Sequence, residues 1–112
     1  MDTQGLNHVH LVVTDLERSA RFYCETFGLQ ELYREARRVY LNTPGRPDVV
    51  TLSLGDEPRF DHLGFLLADR AGLDEAVREA ERAGGRVVER HEMEGGNPTA
   101  FVEDPDGYVI QL

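Results

Sequence analysis

A single cysteine, Cys24, stands in this chain, which excludes an internal disulfide framework. It follows Phe22-Tyr23 in a stretch that reads as helical, so a buried, inert thiol is its expected role. Basic residues are scarce: 12 Lys and Arg against 21 Asp and Glu leave a net charge of −9. Phosphate binding needs a basic footprint, so no nucleic-acid partner is expected. The basic residues are also dispersed among acids, as in Glu75-Ala76-Val77-Arg78-Glu79-Ala80-Glu81-Arg82, the pattern of a solvated helix face. No apolar run approaches the roughly 18 residues that cross a bilayer, so no membrane partner is expected. Met1-Asp2-Thr3-Gln4-Gly5 lacks the basic and apolar regions of a signal peptide, and the expected location is cytoplasmic. Low-complexity segments and interdomain linkers are missing too. What remains, 112 residues of which 40% are hydrophobic, suits one globular domain spanning residues 1–112.

The chain does carry a strand-helix phrase written twice. The first copy is Leu6-Asn7-His8-Val9-His10-Leu11-Val12-Val13-Thr14-Asp15, leading into a helical stretch that ends at Gly28. The second is Phe60-Asp61-His62-Leu63-Gly64-Phe65-Leu66-Leu67-Ala68-Asp69, leading into one that ends at Gly84-Gly85. Each sets a histidine third and an aspartate tenth, and such a repeat points to a pseudo-symmetric site built by both halves.

Periodicity fills in the rest. Residues 6–13 read as a strand with Val9, Leu11 and Val13 on one face and His8, His10 and Val12 on the other. Asp15 is the N-cap of a helix over 16–27, with Leu16, Ala20, Tyr23 and Phe27 as its apolar positions and Gly28 as its stop. Strands follow over 29–35, 37–43 and 49–54. The second half gives a strand over 61–68, a helix over 72–83 with Leu73, Ala76, Val77 and Ala80 as its core stripe, and a strand over 86–90. A polar loop over 92–98 and a hairpin pairing 99–103 with 108–112 complete the order, strand, helix, three strands, given twice. Thr51 and Gln111 occupy matching places in the last strands, Thr51 sharing its face with Val49 and Ser53. Asp104-Pro105-Asp106-Gly107 reads as a turn, and Phe22 with Tyr23 as helix-to-sheet packing.

These phrases, the run Arg21-Phe22-Tyr23 to Phe27-Gly28-Leu29 and the ending Phe101-Val102-Glu103-Asp104-Pro105-Asp106-Gly107-Tyr108-Val109-Ile110-Gln111-Leu112 resemble the vicinal oxygen chelate superfamily. It includes glyoxalase I, bleomycin-resistance proteins, fosfomycin-resistance enzymes and extradiol dioxygenases. The resemblance implies an α+β fold of two βαβββ modules, about 5–55 and 59–112, forming a curled mixed-sheet cup with helices outside. It implies a homodimer and a small-molecule substrate or ligand. It also implies metal ligands from the first and last strand of each module, which carries over onto His8, Thr51, His62 and Gln111. The last-strand position of the second module is usually Glu, and the glyoxalase type carries another Glu where Thr51 stands. The implied ligand set is therefore His8, His62 and Gln111 around a divalent Fe, Mn, Ni or Zn ion. A Gln amide is a neutral ligand and no base, so affinity falls relative to a carboxylate and glyoxalase-type proton abstraction loses its base.

Two function classes follow from the resemblance. One is a small metal-dependent enzyme acting on a substrate with adjacent oxygens, dioxygenase-like ahead of lyase or isomerase, with thiol transfer behind. The other is a metal-free small-molecule binding or sequestration protein of the bleomycin-resistance type, whose acidic surface suits a cationic drug. His10 and His91 are the candidate acid-base residues, each with a plainer reading: a pocket wall for His10, a loop surface for His91. Glu92, Glu94 and Glu103 are candidate carboxylates, Gly95 and Gly96 give the 92–98 loop freedom to move, and Arg59 and Arg90 could meet an anionic substrate.

Overall fold

The computed structural model describes residues 1–69, 72–93 and 97–112, with only the backbone of Met93. The loop freedom expected from Gly95 and Gly96, and the Glu94 carboxylate, lie outside the described residues. The fold is α+β and repeats strand, helix, three strands. It divides into two compact units, Asn7–Asp61 and His62–Leu112, the second including Met1–Leu6.

In the first unit β1 (Thr3–Val13) leads to α1 (Leu16–Phe27), followed by β2 (Gln30–Glu35), β3 (Arg38–Asn42) and β4 (Val49–Leu54). Asp15 begins α1 as expected: its backbone is extended and its carboxylate accepts the Arg18 N–H at 3.0 Å. Gly28 ends the helix at φ 73°, a left-handed turn natural to glycine, and its N–H donates to Cys24 O at 3.1 Å. The strands pair in the order β2-β3-β4-β1, with β1 parallel to β4 and the other pairs antiparallel. Val39, Leu41 and Leu52 are fully buried with Leu16 and Ala20, and Leu11, Val13, Tyr23 and Cys24 pack on them. Each buried leucine contributes about 1.5–3 kcal/mol. Two expected packing residues behave otherwise. Phe22 and Phe27 are more than half exposed, forming an edge-to-face pair with centroids 5.7 Å apart. The helix turns its Leu16–Ala20 stripe to the sheet, and these rings fall beside that stripe.

The second unit repeats the plan with β5 (Arg59–Leu67), α2 (Leu73–Arg82), β6 (Arg86–Met93), β7 (Asn97–Glu103) and β8 (Val109–Gln111). Its strands pair in the order β5-β8-β7-β6, with β5 parallel to β8. Leu73, Val77 and Ala100 form the core, with Leu67, Val87 and Leu112 against it. The Ala68 N–H donates to Asp2 O at 3.0 Å, which ties the first residues to this unit. The 92–98 segment is shorter as a loop than its polarity suggests. β6 continues through Glu92 and Met93, and His91 pairs with Thr99 in β7 instead of opening a loop. Backbone pairing is indifferent to side-chain polarity, and both faces of outer strand β6 reach solvent at most positions. Asp104 confirms the turn reading, since its carboxylate accepts the N–H groups of Asp106 and Tyr108, each at 2.9 Å.

Candidate functional site

Strand register gathers the polar residues of each unit on the sheet face away from its helix. In the first unit His8 stands opposite Val49, His10 opposite Thr51 and Val12 opposite Ser53. On the other side of β4, Arg38 faces Ser53, Tyr40 faces Thr51 and Asn42 faces Val49. One face therefore carries His8, His10, Arg38, Tyr40, Thr51 and Ser53, because side chains alternate along every strand.

The two histidines of β1 are held differently. His8 is half-buried, and its Nδ1 lies 2.9 Å from Asn7 Oδ1. The carboxamide oxygen can only accept, so Nδ1 donates in this contact. His10 is buried, with Nε2 2.5 Å from Ser53 Oγ and Nδ1 3.7 Å from Asp61 Oδ2. Arg38 Nε donates to the same Ser53 Oγ at 3.1 Å. Ser53 Oγ thus bridges the Arg38 guanidinium and the His10 ring, and the Asp61 carboxylate stands near the other ring nitrogen. Asp61 is itself fixed by Arg59 Nη1 at 2.6 Å. Arg38, Ser53, His10, Arg59 and Asp61 line a cavity of about 640 Å³.

The second unit places His62 beside Gln111. His62 is buried, and its Nε2 lies 3.1 Å from Gln111 Oε1. Gly64 pairs with Gln111 across β5 and β8, and Gln111 with Phe101 across β8 and β7, which puts His62, Gln111, Phe101 and Thr99 on one face. The Gln111 amide donates to Thr99 Oγ1 at 3.1 Å, and Thr99 Oγ1 donates to Leu112 O at 2.8 Å. Thr99 is 3% exposed, so that hydroxyl is a firm anchor. The relay turns the amide so that its oxygen faces the imidazole. Phe101 meets His62 edge-on at 5.2 Å, while His91 stacks on the same ring at 5.7 Å and pairs with Glu89 at 3.2 Å.

Several candidates from the sequence have other engagements. Arg90 pairs with Asp74 at 2.5 Å and Glu103 with Arg86 at 2.7 Å, both near the surface. Glu92 is exposed in β6 opposite Pro98. Sequence reading passed over Thr99, Phe101 and Arg38, whose positions depend on register between strands. For Ser53 a signal existed, since it shares the Thr51 face by simple alternation.

A sequence model of the Glyoxalase/Bleomycin resistance protein/Dioxygenase superfamily matches residues 5–112. The chain belongs to this superfamily. Among its relatives is a probable lactoylglutathione lyase of Vibrio parahaemolyticus, 30% identical, with the match covering 100% of this chain and 91% of that one. Catechol-2,3-dioxygenase of Bacillus subtilis is 28% identical over 96% of this chain and 40% of its own. Among solved structures, homoprotocatechuate 2,3-dioxygenase of Brevibacterium fuscum, in complex with 3,4-dihydroxyphenylacetate, superposes with a TM-score of 0.84. It is 26% identical, and the match covers 98% of this chain and 36% of that one. The chain thus spans well under half the length of these two dioxygenases and nearly all of the lyase. Its glyoxalase/dioxygenase fold is shared along its whole length, and its superfamily is one of metal-dependent vicinal oxygen chelate enzymes with both lyase and dioxygenase members.

Proposed function

We propose that this protein is a metal-dependent vicinal oxygen chelate enzyme, dioxygenase-like in its chemistry, in which His8, His62 and Gln111 hold one divalent cation. The observation that carries the reading is the pair His62 Nε2 and Gln111 Oε1, 3.1 Å apart with the amide oxygen turned inward by Thr99. The imidazole N–H donates to that oxygen, and a cation would take the place of this proton. Two ligand atoms at right angles on bonds of about 2.1 Å stand about 3 Å apart, so this spacing fits adjacent positions of an octahedral ion. Manganese-dependent and extradiol dioxygenases among the superfamily relatives favour a divalent metal.

When bound, the cation supplies Lewis-acid charge to two neighbouring oxygens of the substrate. The chain's own residues supply the rest. His10 is the proton-handling group, since Ser53 and Asp61 flank its ring and fix its position in the cavity. His91, stacked on Phe101, is the second candidate acid or base. Gln111 takes no proton, which separates this chemistry from a glyoxalase-type step that needs a carboxylate base at that position.

One feature favours a metal-free binding protein instead: the His62–Gln111 contact is a complete hydrogen bond without any ion. Turnover separates the two readings. The protein is loaded anaerobically with Fe(II) or Mn(II) and offered catechols and α-keto substrates, with oxygen uptake and product absorbance recorded. The enzyme reading expects oxygen uptake that EDTA abolishes and that His10→Ala slows at least ten-fold, in line with general acid-base contributions. Tight ligand binding that survives EDTA, with no turnover under any metal, would establish the binding reading.

A further inference from the structure

We propose that the cavity of the first unit is a subsite for a carboxylate on the substrate, with Arg38 as the residue that recognises it. This deepens the reading above, on which it rests for the oxygen-chelating end of the same substrate, by giving that substrate an anionic end.

Arg38 carries a fixed positive charge on this face. Its side chain is half-buried at the first position of β3, and its protein partners are hydroxyls: Nε donates to Ser53 Oγ at 3.1 Å and Nη1 to Tyr40 Oη at 3.4 Å. Among the described residues no carboxylate stands within ion-pair range of it. The contrast with its neighbours is sharp. Arg34 is paired with Glu31 at 2.7 Å and also with Glu17, Arg46 with Asp48 at 3.2 Å and Arg59 with Asp61 at 2.6 Å. A partly desolvated guanidinium held by two neutral oxygens keeps donors available, and its planar fork matches a carboxylate with two parallel hydrogen bonds.

The position is fixed by register, not by a flexible tether. Arg38, Ser53 and Val12 form one row across β3, β4 and β1, and Tyr40, Thr51 and His10 form the next. The guanidinium therefore shares a cavity of about 640 Å³ with His10, room for a small aromatic or aliphatic acid. Ser53 touches both Arg38 and His10, so a carboxylate on Arg38 lies one hydroxyl away from the proposed proton-handling group.

The same cavity decides which anion. Asp56, Glu57 and Asp61 also line it, and among the described residues Asp61 alone of the three has an arginine partner. A carboxylate brings one negative charge past these acids, whereas a phosphate monoester brings close to two. Like-charge repulsion thus selects the monoanion.

The test uses the whole chain freed of metal by chelator, so its outcome does not depend on the metal assignment. Phenylacetate and its neutral isostere phenylacetamide, neither of which has adjacent oxygens, are titrated and followed by amide and guanidinium NMR shifts, with inorganic phosphate as a third probe. Phenylacetate is expected to bind at least about ten-fold more tightly than phenylacetamide and to shift Arg38 Nε, as a charge-assisted hydrogen bond implies. Arg38→Gln should remove the preference, and Arg38→Lys should restore part of it. Should Arg38→Gln fail to fold, Ser53→Ala, which frees the guanidinium from its support, is expected to weaken phenylacetate several-fold. Equal binding of acid and amide, no shift at Arg38, or phosphate binding more tightly than phenylacetate would each overturn the proposal. Metal binding unchanged in His8 and His62 variants, with phenylacetate binding intact, would sink the metal reading alone.

Discussion

Gln111 is the residue on which the proposed chemistry turns. Its amide has two ends, and only the oxygen can serve a cation. Thr99 decides which end faces His62, by accepting a hydrogen bond from the amide N–H while its hydroxyl donates to Leu112 O. Thr99→Val keeps the shape and deletes the anchor, so metal affinity should fall about 10-fold, as it does when a ligand loses its orienting partner. Isothermal titration with Mn(II) reads this directly. Gln111→Glu places a charged oxygen at the same distance and should tighten the same titration. The sequence carried part of this: the matched positions of His8, His62 and Gln111 come from the repeat, and Ser53 from alternation. Thr99 and Arg38 stayed hidden because their roles depend on which strand lies beside them, and nothing local to Thr99 or Arg38 encodes a register.

Helices were legible at the scale of single elements because their ends announce themselves chemically. Asp15 and Gly28 bound α1 where side-chain capping and a left-handed backbone require them. Asp15→Ala should lower stability by about 1 kcal/mol in urea unfolding. Gly28→Ala, forced to φ 73°, should lower it by about 1–2 kcal/mol. The second helix departs from the pattern: Asp69 occupies the tenth place of its phrase, but α2 starts at Leu73 with Gly72 as a cap that offers no side chain. Its first turn is held by ion pairs instead. The Arg90 guanidinium hydrogen-bonds to Asp74, and Arg82 with Arg78 to Glu75, holding both carboxyls below their ordinary values. A carboxyl depressed in the folded state binds fewer protons there than in the unfolded chain. Its contribution is therefore present above the ordinary carboxylate range and is lost as pH falls through the folded-state value. These groups are exposed and water screens them, so the effect is small. Melting temperature followed from about pH 6 to pH 3 should fall less steeply in Asp74→Asn than in the parent. A parallel pair of curves would remove the ion pair from the account.

For the whole molecule, the doubled phrase was the strongest signal, and the structure repeats its order and its strand pairing in both units. The faces followed too: Leu11, Val13, Leu52 and Leu54 pack with α1, and Leu112 with the core that holds Leu73 and Val77 of α2. The extension of β6 to Met93 was not legible, since His91 and Glu92 are polar on successive positions and only pairing with β7 makes them part of a strand. The N-terminal reach of β1 to Thr3 was hidden for a similar reason, as these residues are exposed. The superfamily is established by the match over residues 5–112, while the ligand set is the claim that gives this fold a specific chemistry. That claim is tested most directly by elemental analysis of untagged protein, purified without chelator and re-equilibrated with Fe(II), Mn(II), Ni(II) and Zn(II), beside the His8→Ala/His62→Ala variant. The account predicts about one ion per chain in the parent and none in the variant. Equal metal content in both, or none in the parent under any of the four ions, would contradict it.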